Sequence, residues 1–150
     1  MSNDSIKILL VDDEPDILEI LSYNLIAEGY TVLTAANGLE AVKSAKKNQP
    51  HLILMDVMMP EMDGIEACEQ IRTFPELKDT IITFLTARGE DYSQVAGFEA
   101  GADDYITKPI KPKVLVSKIK ALLRRLNEAT PIENSELITV GDLTIDREAY

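Results

Sequence analysis

Ile53-Leu54-Met55-Asp56-Val57-Met58-Met59-Pro60-Glu61-Met62-Asp63-Gly64 is the stretch whose reading decides the fold. It opens as an apolar run of the length and composition of a strand buried on both faces, and it stops on a carboxylate. Pro60 and Gly64 bracket a loop, and an amphipathic segment follows. An acid at the carboxyl end of a buried strand sits where an open α/β sheet places its ligand crevice. The rest of the chain is read by what it brings to Asp56.

Before this stretch, Ile6 to Val11 is a first apolar run that ends on Asp12-Asp13-Glu14. Pro15 then suits the first turn of a helix, where its missing N–H costs nothing. Ile17, Leu18, Leu21 and Leu25 recur at helical spacing, and Gly29 is placed to end that helix. Tyr30 to Ala35 reads as a second strand, Asn37-Gly38 as a turn, Leu39 to Asn48 as a second helix, and His51 to Asp56 as the third strand. Beyond the Asp56 loop come a third helix (Ile65 to Arg72), a fourth strand (Thr80 to Thr86) and a fourth helix over about residues 91–100. A short fifth strand (Asp104 to Thr107) and a fifth helix from Pro112 to about Leu126 complete the pattern.

Five strands alternating with five helices predict a parallel sheet covered on both faces, because right-handed crossovers place the helices there. The expected fold is α/β, flavodoxin-like and doubly wound, with strand order 2-1-3-4-5 and its switch point between strands 1 and 3. That order makes the ends of strands 1 and 3 neighbours, so Asp12 and Asp13 converge on Asp56.

Composition bounds the function. With 26 acidic against 15 basic residues and a formal net charge of −11, these 150 residues have no basic face for counterion release from nucleic acid. The single cysteine, Cys68, allows no internal disulfide, which suits a reducing compartment. The polar N-terminus carries no signal-peptide pattern, and no run reaches the roughly 20 apolar residues of a membrane helix. A soluble cytoplasmic protein without membrane partners is the expectation.

Three clustered carboxylates repel one another unless a cation compensates them, and oxygen-only donors favour a hard ion. A site with few carboxylates and room for waters and phosphate oxygens suits Mg²⁺ better than Ca²⁺. Thr86, closing strand 4, adds a hydroxyl donor, and Lys108, after strand 5 and before Pro109, adds a positive charge. Nucleophile, charge neutralisers and donor around one point describe a phosphoryl-transfer site.

At this point the chain resembles a known family, the response-regulator receiver domain of two-component signalling. The residues that carry the resemblance are Ile8 to Pro15, Asp56 to Gly64, Leu85-Thr86-Ala87-Arg88 and Gly101 to Pro109, in that order, across roughly residues 6–126. The resemblance implies that Asp56 accepts a phosphoryl group from a phosphohistidine on a sensor histidine kinase. Asp13, Asp56 and the backbone carbonyl of Met58 would then ligate Mg²⁺, with Asp12 acting nearby through water. Lys108 would hold one phosphoryl oxygen and Thr86 would move toward another. Tyr105 would follow Thr86 and reshape the face made by helix 4, strand 5 and helix 5. Such a module is a phosphoacceptor rather than a conventional enzyme, though it catalyses its own phosphorylation and dephosphorylation.

Gly101-Ala102-Asp103-Asp104-Tyr105 and Ala121 to Arg125 resemble the OmpR/PhoB subfamily of transcription factors, which dimerise through that face. Glu99 with Lys120, and Asp104 with Lys118 where arginine is usual, match the subfamily's ion pairs. Gln94, Val114 and Ile110 depart from it, so a homodimer on phosphorylation is expected with one ion pair missing. Residues 1–126 are read as the receiver and 127–136 as a linker. Residues 137–150 alternate like the opening strands of a winged-helix output domain. The expectation is a truncated regulator whose DNA binding belongs to the missing output domain.

Three rivals are weighed against this. A phosphatase of the haloacid-dehalogenase type needs a second Asp where Met58 stands. A flavodoxin-type FMN carrier needs a phosphate loop where Asp12-Asp13-Glu14 would repel it. A stand-alone receiver acting only by protein contact is the nearest rival, opposed by residues 137–146. His51 falls at the wrong end of the sheet for a triad, and Cys68 at helical spacing reads as core.

Overall fold

The computed structural model describes residues 6–59, 61–86 and 99–129, with side chains through residue 125. The described residues form two compact units that divide between Lys118 and Ile119. The first holds a five-stranded sheet of β1 (Lys7–Val11), β2 (Thr31–Ala35), β3 (Leu52–Asp56), β4 (Ile81–Thr86) and β5 (Asp104–Thr107). The order is β2-β1-β3-β4-β5 and every pairing is parallel, as expected from the alternation of elements.

Four α-helices lie wholly among the described residues: α1 (Pro15–Ala27), α2 (Gly38–Asn48), α3 (Gly64–Ile71) and α4 (Pro112–Ala129), with a 3-10 turn at Pro75–Leu77. The expected helix over residues 91–100 falls almost entirely on residues 87–98, outside the described residues, as does Gln94. The expected fifth helix is α4. It continues to Ala129, three residues beyond Leu126, because Asn127-Glu128-Ala129 holds neither glycine nor proline to stop it. The linker expected from residue 127 therefore starts inside a helix. The second described unit is the latter part of α4, with Ile119, Leu122 and Leu123 buried.

Sequence and register explain the core. β3 and β4 are inner strands buried at every position, hence their mostly apolar sequences, with Thr83 the polar residue inside β4. In-register Val11, Met55, Phe84 and Tyr105 point to one face, where Ala41 and Ala45 of α2 and Ala67, Cys68 and Ile71 of α3 pack. Alanines there let both helices approach the sheet closely. Right-handed crossovers put α1 on the opposite face, where alternation also aims Asp56, Leu85 and Ile106.

The helix starts differ slightly from the sequence reading. Asn37 is not a turn residue but the N-cap of α2, and Gly38 is the first helical position. Asn37 Oδ1 accepts the Glu40 amide at 2.9 Å, and Glu40 Oε1 accepts the Ala36 amide at 2.9 Å. This is a variant of the capping box written in Asn37-x-x-Glu40, with the glutamate reaching the amide one residue before the cap. Asp63 caps α3 by accepting the Glu66 amide on its Oδ1 at 2.8 Å.

Candidate functional site

The carboxyl ends of β1, β3, β4 and β5 converge at one edge of the sheet. β1 extends one residue further as a ladder, with the Asp12 amide bonded to the Ala35 carbonyl at 3.2 Å. Asp12 Oδ1 then accepts the Glu14 amide at 2.9 Å, which turns the chain into α1. Asp56 closes β3. Lys108 hangs from the end of β4 through its amide, bonded to the Thr86 carbonyl at 2.7 Å, and the Lys108–Pro109 bond is cis.

Alternation places Lys108 on the same face as Ile106 and therefore as Asp56. Its Nζ lies 3.3 Å from Asp12 Oδ2 and 3.3 Å from Asp56 Oδ2. Asp12 and Asp56 are buried, at 1% and 8% exposure, whereas Asp13 is exposed. Oxygen atoms of Asp12, Asp13 and Asp56, one from each, lie within 4.8 Å of one another. Among the described residues, Lys108 thus pairs with two of the three clustered carboxylates, and acidic charge is in excess there.

The electrostatics follow from burial. Loss of water raises the Asp56 pKa above its ordinary value, and the neighbouring charge of Asp12 raises it further. Lys108 and the Met58 amide, 3.3 Å from Asp56 Oδ1, oppose this without cancelling it. For Lys108 burial acts downward, but Asp56 and Asp12 outweigh it and its pKa is raised. Lys108 is therefore a fixed cation, and Asp56 is a carboxylate that would ionise more readily beside another positive charge.

Thr86 is 1% exposed at the end of β4, and its Oγ1 has no hydrogen-bond partner among the described residues. Ser22 Oγ and Thr83 Oγ1 share that unpaired state, so what sets Thr86 apart is its place at the end of β4, where its carbonyl accepts the Lys108 amide. Met58 is 57% exposed just past Asp56. Tyr105 is half-buried in β5 against the core that holds Phe84. Asp104 pairs within the chain with Lys118, Nζ to Oδ2 at 3.6 Å. Glu99 and Lys120 are exposed residues of different units.

The excluded candidates are placed as expected. His51 begins β3 at the opposite end of the sheet, its Nδ1 accepting the Lys7 amide at 3.0 Å. Cys68 is fully buried in α3, and burial pushes its thiol up to about 11. What the sequence reading missed is the packing around the Asp56 loop. A Cβ on Gly64 would collide with the Asp56 carbonyl oxygen, and one on Gly38 with the Met62 carbonyl oxygen. Both glycines are visible in the sequence, but only the assembled loop shows what they approach.

Comparison with known proteins agrees with this geometry. The model of the response regulator receiver domain family matches residues 8–120. The alkaline phosphatase synthesis transcriptional regulatory protein PhoP of Bacillus subtilis (strain 168) is 46% identical over 154 residues, covering 96% of this chain and 62% of that protein. A crystal structure of a putative response regulator from Chloroflexus aurantiacus superposes with a TM-score of 0.75 at 40% identity, covering 79% of this chain and 98% of that one. The Vibrio cholerae chemotaxis protein CheY4 gives 0.74 at 34% identity, covering 77% and 97%. The chain belongs to the response regulator receiver domain family, a signalling module with the flavodoxin-like fold of CheY. It spans less than two thirds of the length of the curated transcriptional regulators it matches, PhoP and the ycf27 proteins of Pyropia yezoensis and Porphyra purpurea.

Proposed function

We propose that Asp56 is the phosphoacceptor of this receiver and that a sensor histidine kinase supplies the phosphoryl group from a phosphohistidine. The observation that carries the reading is Lys108 Nζ at 3.3 Å from both Asp12 and Asp56 at the carboxyl end of the sheet. In the transfer an Asp56 carboxylate oxygen bonds to phosphorus while the bond from phosphorus to the donor imidazole breaks. The imidazole leaves with the electron pair, and the phosphoryl oxygens become additional negative charge beside Lys108.

The all-oxygen donor set and the raised Asp56 pKa fit a hard divalent cation, so Asp13, Asp56 and the Met58 carbonyl would hold Mg²⁺, with Asp12 close by. Bound there, Mg²⁺ supplies positive charge that neutralises the carboxylates and the incoming phosphoryl oxygens. Lys108 pairs with one phosphoryl oxygen. Thr86 Oγ1, unpaired among the described residues, donates to another. Bonds made only in the phosphorylated state bias a two-state element, and Tyr105 in the neighbouring strand follows Thr86. The chain's catalysis of its own phosphorylation and dephosphorylation lies in these same groups.

We assign residues 1–126 to the receiver, 127–136 to a linker and 137–150 to the first strands of a winged-helix output domain. The parent would be a cytoplasmic transcription factor of OmpR/PhoB type that binds DNA through its output domain. Its receiver would dimerise on phosphorylation through the face of residues 91–100, β5 and α4. Because Asp104 pairs with Lys118 inside one chain, a dimer using both residues exchanges that pair for one across the interface. An exposed pair contributes little, so the exchange is cheap. The test is the Mg²⁺–beryllofluoride complex, which mimics the phosphoryl group. Shifted Thr86 and Tyr105 amide resonances with dimer elution on gel filtration are expected. Resonances unchanged from the free chain would overturn the switch.

A further inference from the structure

We propose that Gly38, at the start of α2, is a positioning residue for the Asp56 loop: contact between its backbone and that of Met62 fixes the loop that presents Met58 to Asp56. The inference rests on the phosphoacceptor reading above and extends it to an element that contributes no group to the site.

Residues 57–59 leave β3 and residues 61–63 lead into α3, and the base of this loop is closed by the Gly64 amide bonded to the Val57 carbonyl at 2.8 Å. Val57 itself is joined only weakly to β4, its amide 3.4 Å from the Leu85 carbonyl. Inside the loop Glu61 has φ 69°, in the left-handed region that costs a side-chain-bearing residue about 1 kcal/mol or more. Such a conformation persists only where surrounding contacts hold it. Met59 and Met62 lay their side chains on the core, but methionines are adaptable and define a position poorly. Apart from that weak Val57–Leu85 bond at the start of the loop, the described backbone anchor from outside it is the Gly38 amide, bonded to the Met62 carbonyl at 3.1 Å.

Three features make that anchor specific. A Cβ at position 38 would drive into the Met62 carbonyl, so glycine is required by proximity rather than by a positive φ. The amide of a first helical residue has no partner within its helix and is free to bond outward. The capping of α2 by Asn37 and Glu40 fixes the direction in which that amide points. Met58 bonds Asp56 Oδ1 through its amide from the same loop, at a long 3.3 Å. A shift of the loop by a few tenths of an ångström changes that bond, together with the Met58 carbonyl assigned to Mg²⁺.

The test compares Gly38→Ala with Lys43→Gly, an exposed substitution in the middle of α2 that weakens the helix without touching the loop. Two quantities are read on the whole chain: Mg²⁺ affinity by calorimetry, and amide hydrogen exchange of residues 57–64 without metal. Gly38→Ala is expected to weaken Mg²⁺ binding at least about fivefold and to speed exchange in the loop. Lys43→Gly, though also less stable, should leave both as in the parent chain. Equal Mg²⁺ affinity and equal loop exchange in the two variants would overturn the proposal. If Gly38→Ala does not fold, Asn37→Ala decides in the same way, since it loosens the cap without a clash. If the parent chain binds no Mg²⁺, the phosphoacceptor reading falls, and the exchange rates still decide whether Gly38 holds the loop.

Discussion

At the residue scale the site is a charge problem. Asp56 is buried beside Asp12, and Lys108 alone does not offset both. Because the folded chain holds the Asp56 proton to a higher pH than the unfolded chain, it binds more protons across the window above the ordinary carboxylate pKa of about 3.9. Stability falls as pH rises through that window. Asp56→Asn removes the penalty, so without divalent cations its Tm at pH 7 should exceed the parent's by a few degrees, equivalent to about 1 kcal/mol. The gain should fade once the pH drops below the window, and thermal melts at pH 3.5 and 7 read the difference. Lys108 shifts in the same direction, but in a higher pH window. Its raised pKa means stability present at neutral pH and lost as pH rises through that value, above about 10.4. Lys108→Ala leaves two buried carboxylates uncompensated and should cost about 1–2 kcal/mol in urea melts at pH 7, less in high salt.

At the element scale, close approach is what the sequence conceals. Gly64→Ala would force a methyl against the Asp56 carbonyl and should cost about 1–3 kcal/mol, lowering the urea midpoint. Phe84, fully buried in β4, should cost about 3–5 kcal/mol when cut to alanine. β3 and β4 were legible because they are buried throughout and mostly apolar, and Asp12, Asp56 and Lys108, which the structure brings together, were legible because each stands at or just past a strand end. Their convergence followed from strand order alone. The start of α2 was misread because Asn37-Gly38 has the composition of a turn, although the capping signal was present in Glu40. α4 runs on to Ala129, past the expected end at about Leu126, because a change in composition at Asn127 does not stop a helix. Gly38 against Met62 is a tertiary contact between residues 24 apart, and no local pattern encodes it.

At the scale of the whole molecule, the sheet separates two jobs. The opposite end from the site is stitched by Arg72, which donates to the carbonyls of Gly101, Leu77, Lys78 and Thr80 and pairs with Asp103 at 2.9 Å. Cys68, one turn before Arg72, is sealed in the core with its thiol pKa near 11. It should resist a disulfide reagent at pH 8 in the native chain and react when urea unfolds it, so its labelling rate reports global opening. The carboxyl end is left for chemistry. The central claim is tested most directly by intact mass after incubation with acetyl phosphate and Mg²⁺, beside Asp56→Asn. A single phosphoryl adduct that needs Mg²⁺, is labile to hydroxylamine and is absent from the variant is the predicted result. An adduct that survives in Asp56→Asn, or a parent chain that takes up neither phosphoryl group nor Mg²⁺, would contradict it.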